Sequence, residues 1–255
     1  MYLSAERLAL ANQAVQETFE QCCIAWQAIP HWDTGDPGQA RVPNDVVNNP
    51  GFLNIDLEKK DFQVTVVQAN APTPDALLIE VMAKTKDLAK AVDEDVLPKL
   101  YAKAGHKKTT AVTDTALLNT LIAARADVEN AGYRAPSCLL TNTVGLQKLS
   151  QLVSGYSILQ QLLVAANVYS LHRADKIDTT NTKTRLVVLG RRQRIPEGSA
   201  AEASPGEEPV DLAVSLLPSL EVVGETSTGQ IELSVRIRYA TRIKDVNGLV
   251  AVKDT

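Results

Sequence analysis

The sequence lacks the features that mark membrane-spanning, disulfide-bonded and metal-binding proteins. No apolar run reaches the roughly 18 residues that a membrane helix needs. The three cysteines, Cys22, Cys23 and Cys138, form no CxxC pair, and the three histidines lie far apart in the chain. We therefore interpret the cysteines as buried apolar side chains, and we predict no metal, no cofactor and no catalytic site.

The sequence also has no large excess of positive or negative charge. The chain carries 26 Lys and Arg residues against 30 Asp and Glu residues, which gives a formal net charge of −4 at pH 7. This balance excludes a basic sleeve around nucleic acid, so any such contact must be local. The only basic cluster in the sequence is Gly190–Arg194, which we interpret as a solvated strand end or an ion-pair partner. Glu6 and Arg7 interrupt the start of the chain, which predicts no signal peptide and a cytoplasmic protein.

The first third of the chain predicts a helix, an arm and a hairpin. Apolar residues recur at three- and four-residue steps from Ser4 to Ala28, which predicts an amphipathic helix whose apolar face must be covered. The segment from Trp32 to Asn49 is rich in Gly, Pro, Asn and Asp and predicts an extended arm or a long loop. From Phe52 to Val66 the residues alternate, which predicts a two-stranded hairpin with a charged tip at Glu58–Asp61.

A very long helix follows. Thr73 is placed to cap it and Pro74 to occupy its first position, and the apolar stripe continues to Ala104. Some thirty residues span roughly 45 Å, so we expect neighbouring chains to cover this helix. Pro98 lies inside it and predicts a kink or a division. We interpret the acidic run Asp93–Asp95 as a solvated helix face.

The rest of the chain alternates between helices and strands around one surface loop. We predict the loop over Gly198–Pro209, where glutamate and proline are frequent. The predicted helices are Thr115–Ala131, Thr143–Leu152 and Ile158–Ala166. The predicted strands are Ala135–Leu140, Val168–Leu171, Arg185–Leu189, Val210–Leu217, Ile231–Tyr239 and Leu249–Val252.

This order of elements resembles the shell fold of tailed-phage major capsid proteins of the Hong Kong ninety-seven type, which bacterial encapsulins share. The phrase from Ala131 to Leu140 is similar to the opening of the axial domain in that family. The closing strands Val210–Val214, Ile231–Arg236 and Leu249–Val252 are similar to its last strands. The resemblance implies an α+β fold with an N-terminal helix and arm (1–51), an extended hairpin loop (52–72), a spine helix with a peripheral-domain helix (73–132), an axial domain (133–220) and closing strands (221–255).

The function that the resemblance implies is structural. Many copies assemble into a closed icosahedral shell, most simply a phage capsid that encloses DNA, because the Trp32–Asn49 arm is similar to a phage N-arm and departs from the encapsulin pattern. The alternative is an encapsulin that encloses cargo enzymes. The implied partners are the chain itself in many copies, packaged DNA or encapsulated cargo protein, and a scaffolding protein, with no membrane. The implied location is a virion capsid assembled in the bacterial host cytoplasm.

A small oligomeric enzyme or binding protein is the alternative of a different class. No Gly-rich phosphate loop or nucleophile elbow supports an enzyme. Under the shell hypothesis, the expected contacts between subunits come from the hairpin, the first helix and the arm. Lys59 and Lys60 lie at the supposed hairpin tip, but we find no acceptor for a covalent crosslink and predict none. The candidate interface residues are Trp26, Trp32, Phe52, Leu57, Lys59, Lys60, Phe62, Val64 and Val66.

Overall fold

Helices and strands are mixed along the whole chain. The computed structural model describes residues 3–46, 48–111, 114–153, 156–178, 183–192 and 208–254. The helices are α1 Ala5–Cys22, α2 Ile24–Ala28, α3 Val66–Ala69, α4 Asp75–Lys103, α5 Asp114–Asn130, α6 Thr143–Leu149 and α7 Leu159–Ala165, with a 3-10 turn at Val246–Gly248. The strands are β1 His31–Asp33, β2 Arg41–Pro43, β3 Phe52–Asn54, β4 Asp56–Thr65, β5 His106–Thr110, β6 Ala135–Thr141, β7 Leu152–Val153, β8 Tyr156–Ser157, β9 Val168–Arg173, β10 Arg185–Arg191, β11 Val210–Glu225, β12 Gln230–Ile243 and β13 Leu249–Asp254.

The predicted first helix is divided into α1 and α2 at Cys23. The Ser4 hydroxyl caps α1 by accepting a hydrogen bond from the Arg7 amide at 3.2 Å. Cys23 is extended, and the amides of Ile24 and Ala25 that start α2 donate to the Asp93 carboxylate at 3.1 and 2.8 Å. The interpretation of Asp93 as part of a solvated face is therefore wrong, because this carboxylate caps α2 and is only 7% exposed.

The long helix α4 is present over 29 residues, with Pro98 inside it. Its N-cap is Pro74, so the cap expected from Thr73 is not formed. The chain itself covers one face of α4, because α1, β4 and β12 pack against it. That face is buried within the subunit and needs no neighbouring chain to cover it. Its fully buried members are Leu77, Val81, Leu88, Val92, Val96, Leu97 and Leu100.

The predicted hairpin over residues 52–66 is wrong. Strand β4 runs without a turn from Asp56 to Thr65 and pairs along its whole length with β12, from Tyr239 opposite Asp56 to Gln230 opposite Thr65. Strand β3 pairs instead with β2. The charged residues predicted as a tip lie within β4, where the side chains two positions apart share a face and form ion pairs. Pairing with β12 therefore determined the structure of this segment.

A four-stranded sheet, in the order β1-β11-β12-β4, packs one face onto α1 and α4. Alternate residues of β12 point into this core, as the buried Ile231, Leu233 and Val235 show. On the other face the arm covers one end of the sheet, where Val42 and Ile55 pack on Ala213 and Ala240. The rest of that face has no covering layer among the described residues.

A five-stranded sheet, in the order β5-β13-β10-β6-β9, is covered on both faces. Leu186 and Val188 of β10 belong to one core cluster, with the helices α5 and α7, whereas Val187 and Leu189 belong to the other, with α4. Strands buried on both sides are continuous apolar runs, which is why β6, β10 and β13 lack polar alternation in the sequence.

The arm from Trp32 to Asn49 lies against the body of the subunit. β1 pairs in parallel with β11, with Trp32 opposite Ala213. A buried ion cluster then fixes the arm, because the Arg242 guanidinium donates to both Asp211 oxygens at 2.6 and 2.7 Å and also to Asp45. Lys244 donates to Asp211 at 2.9 Å. Within the segment predicted as an arm or long loop, β1 thus pairs with β11, and β2 pairs with β3.

Two further predictions fall partly outside the described residues. Of the basic cluster Gly190–Arg194, the last two residues lie outside, as does most of the Gly198–Pro209 loop. Within the cluster, Arg191 donates to the Ala28 carbonyl oxygen, and the Arg192 guanidinium lies 5.7 Å from the centre of the Tyr133 ring. Both arginines therefore contact the subunit itself.

Candidate assembly surfaces

Three of the predicted interface residues are buried inside the subunit. Trp26 is 8% exposed, packs edge-on against Phe19 at 5.5 Å between ring centres and stacks on His31 at 3.6 Å. Phe62 and Val64 are 8% and 1% exposed and face α4 from β4. Their side chains stabilise the single chain and offer no surface to another subunit.

Trp32 is half-buried in the arm and belongs to the ion cluster. Its indole nitrogen donates to Asp211 at 3.3 Å, and the Arg242 guanidinium lies 4.8 Å from the ring centre. Burial raises the pKa of the Asp211 carboxyl, but hydrogen bonds from Arg242 and Lys244 outweigh it and hold the pKa below its usual value. The carboxylate thus stays charged and holds the arm to β11 and β12.

Lys59 and Lys60 lie on opposite faces of the four-stranded sheet. Lys59 pairs with Asp61 at 2.9 Å on the open face, and the hydrogen-bonded ion pair raises the pKa of the half-exposed Lys59 amine. Lys60 pairs with Glu58 at 2.8 Å on the face that packs on α4. β4 is an edge strand, and charged side chains along such an edge discourage indiscriminate strand addition.

The remaining predicted residues, Phe52, Leu57 and Val66, are exposed to 73%, 49% and 44%. Val67, next to Val66 on α3, is 79% exposed, and Val223 near the end of β11 is 54% exposed. The pairing of Gln230 with Thr65 places α3 beside the β11–β12 turn. We refer to these three exposed valines toward one end of the sheet, Val66, Val67 and Val223, together as the turn-end patch. Sequence reasoning missed Val67 and Val223 because the incorrect hairpin left no sheet end on which to place them.

A second group of exposed apolar side chains lies on β7, β8, α7 and β9. Leu152, Tyr156, Val164 and Tyr169 are exposed to 68%, 77%, 74% and 88%. The elements are neighbours, since β7 pairs with β8 and α7 packs against β9, the edge of the five-stranded sheet. We call these four residues the β9-side patch. In the sequence these residues lie in or beside segments that were predicted as two helices and a strand, and nothing there marked them as exposed.

Metal sites, membrane-spanning helices and reactive thiols are the other kinds of feature that the described part of the chain could offer. It contains no group of three or more His, Cys, Asp or Glu side chains able to hold a metal ion. None of its helices is both long and apolar enough to cross a membrane. Cys23 and Cys138 are buried free thiols, and Cys22 is half-buried. Burial raises the pKa of both Cys23 and Cys138, so neither is a ready nucleophile.

Comparison with known proteins depends on structure alone. No protein-family model matches the sequence. No curated protein matches it either. Among solved structures, the chain is similar to the virus-like particle from Pyrococcus furiosus, with a TM-score of 0.71 and 17% identity over 97% of this chain and 98% of that one.

Both branches of the predicted fold are represented among the other similar structures. The capsid protein of Cyanophage P-SCSP1u superposes with a TM-score of 0.60 and 11% identity over 89% of this chain and 86% of that one. The SrpI encapsulin of Synechococcus elongatus PCC 7942 superposes with a TM-score of 0.57 and 13% identity, over 91% of this chain and 88% of that one. The chain therefore has the α+β fold of phage capsid and encapsulin shell proteins, as the resemblance predicted.

Proposed function

We propose that this chain is the structural subunit of a self-assembling protein shell and that it has no catalytic role. The observation that carries the proposal is the superposition on a virus-like particle protein over 97% of this chain and 98% of the other. Since the match runs through nearly the whole of both chains, the shared fold includes the peripheral elements and not a common core alone.

Two exposed apolar patches support assembly. The turn-end patch and the β9-side patch lie on different sheets, and each exposes side chains that water solvates poorly. Two separate patches allow one subunit to contact several copies of itself, which a closed shell requires. The partner is thus the chain itself in many copies, and the location is a virion or nanocompartment shell.

The two candidate contents of the shell are packaged DNA and cargo protein. The expectation of packaged DNA came from the likeness of the Trp32–Asn49 arm to a phage N-arm. In the structure β1 and the Arg242 cluster hold this arm against the sheet. The encapsulin and the cyanophage capsid are covered to similar extents, 88% and 86%. We retain a DNA-enclosing capsid as the proposal and an encapsulin as its alternative, and the test below separates them.

The experiment is negative-stain electron microscopy of the purified chain expressed alone, together with absorbance at 260 and 280 nm and gel analysis of any particles. Uniform hollow particles are the expected result. Nucleic acid inside them would favour the capsid, and a stoichiometric co-purifying protein would favour the encapsulin. Small oligomers alone, across salt and pH and after addition of a candidate scaffold, would contradict the shell.

A further inference from the structure

A basic cavity lies where the α1–α2 junction, the middle of α4 and the segment after β9 meet. Its volume is about 320 Å³. The lining includes four cationic side chains, Lys86, Lys90, Arg173 and Lys176, and two carboxylates. Apolar groups complete the wall. The cavity is separate from both exposed apolar patches.

Both carboxylates of the cavity already have partners. Asp93 accepts hydrogen bonds from the amides of Ile24 and Ala25. Asp175 accepts the Thr143 amide at 2.7 Å and pairs with Arg173. Neither carboxylate forms an ion pair with Lys86 or Lys90 among the described residues.

Two of the four cations lack an ion-pair partner. Lys176 pairs with Glu94 at 3.1 Å, whereas neither Lys86 nor Lys90 forms an ion pair with any described residue. The two lysines are four residues apart on α4, so their side chains lie on the same face of the helix. Lys84 and Lys99 of the same helix differ in this respect, since Lys84 pairs with Asp87 and Lys99 with Asp95.

We propose that this cavity binds a phosphate group, either free or as a phosphodiester of nucleic acid. The two flexible ammonium groups and the Arg173 guanidinium all line the cavity and can donate to several oxygens of one tetrahedral anion. The cavity accepts a group of this size and is too small for a folded partner. This inference concerns the single chain and holds whether or not the chain forms a shell.

Cys22 can report binding directly, because it lines the cavity. It is half-buried, whereas the other two thiols, Cys23 and Cys138, are buried. We would follow its alkylation by N-ethylmaleimide, a neutral reagent, by mass spectrometry. The probes are inorganic phosphate and a short single-stranded oligonucleotide, with chloride at equal ionic strength as the control. The expected result is saturable protection of Cys22 by phosphate-bearing probes and none by chloride.

Two double variants separate a site from general charge. Lys86→Ala with Lys90→Ala should weaken protection about tenfold, the loss expected for charge-assisted contacts. Lys84→Ala with Lys99→Ala removes the same two charges from the same helix outside the cavity and should leave protection unchanged. Stronger protection by the oligonucleotide per phosphate would assign the ligand to nucleic acid, and equal protection would assign it to free phosphate.

Two results would overturn the proposal: no protection of Cys22 by either phosphate-bearing probe, or equal weakening in both double variants. Particle formation, scored separately by microscopy on the same variants, keeps this outcome distinct from failure of the proposed shell function.

Discussion

The two sheets differ in how much of their surface the subunit covers. The five-stranded sheet lies between α4 on one side and α5 to α7 on the other, and its strands β6, β10 and β13 are buried on both faces. The four-stranded sheet packs one face on α1 and α4, but the arm covers only one end of the other face. Its edge strand β4 pairs on one side alone.

This difference assigns folding mainly to one sheet and assembly to the exposed parts of the other. The five-stranded sheet obtains its stability within the chain, so substitutions there should act on folding. The open face and the turn end of the four-stranded sheet add little to the folded chain and leave apolar groups in water. Substitutions there should act on assembly. The predictions below test this division, from the largest expected effect on stability to the smallest.

Asp211→Ala should have the largest effect, because it leaves Arg242 and Lys244 buried without their shared carboxylate. We expect a loss of about 3–5 kcal/mol in the free energy of unfolding, measured with urea. The control is Asp61→Ala, which removes a half-exposed ion pair on the open face and should cost under about 1 kcal/mol. Equal losses would contradict the assignment of the arm to the folded core.

The same carboxylate predicts a pH dependence. Its pKa in the folded chain lies below the usual 3.8, so its stabilising contribution is full above that value and is lost as the pH falls through the lowered pKa. The difference in unfolding free energy between the wild type and Asp211→Asn should therefore shrink in acid. A difference that stays constant down to the acid transition would contradict the ion cluster.

Leu186→Ala should lower the free energy of unfolding by about 2–5 kcal/mol, because it leaves a cavity in a well-packed core. Leu186 is fully buried on β10 within the five-stranded sheet. Leu57→Ala on β4, where the side chain is 49% exposed, is the matched substitution in the other sheet. We expect it to change the stability of the unassembled chain by about 0.5 kcal/mol or less.

Asp93→Asn tests the cap of α2. The Asp93 carboxyl should make stability depend on pH in the direction opposite to Asp211. Burial raises the pKa of the Asp93 carboxyl, despite hydrogen bonds from Ala25 and Ile24. Its contribution is therefore full below the unfolded pKa and is lost as the pH rises through the raised folded pKa. From about pH 4 to about pH 8, the wild type should lose stability relative to Asp93→Asn. A wild type that gains stability relative to the variant would contradict the burial of this group.

Val67→Asp should have the smallest effect on folding and the largest on assembly. The side chain is 79% exposed on α3. The free energy of unfolding of the unassembled chain should therefore change by about 0.5 kcal/mol or less. A buried charge at a subunit contact should prevent particles from forming, as scored by microscopy. Gln21→Asp introduces the same charge at an exposed position of α1 and should leave particles intact. Normal particles from Val67→Asp would exclude the turn-end patch from the interface.

Local signals in the sequence predicted much of the fold. The apolar stripe of α4, the short strands after it and the order of elements needed only periodicity and turn residues. The hairpin over 52–66 was wrong because the charges of Glu58–Asp61 are typical of a turn, whereas pairing with a strand some 170 residues later is a tertiary effect that no local pattern reports. Asp93 was misread for the same reason, since its partners Ile24 and Ala25 lie far away in sequence.

The candidate assembly surfaces were less predictable. Apolar residues such as Phe62 and Val67 look alike in the sequence, and only the packing of β4 on α4 separates the buried side chain from the exposed one. The buried cluster of Asp211, Arg242 and Lys244 was likewise missed, because its members belong to strands predicted only from their apolar neighbours.

Hydrogen exchange of particles and of dissociated subunits, compared peptide by peptide, tests the central claim most directly. The account predicts slower exchange in particles over 56–69 and the β11–β12 turn, with little change in β6, β10 and β13, which are protected within the subunit. Unchanged exchange over 56–69, with new protection confined to the five-stranded sheet, would contradict it.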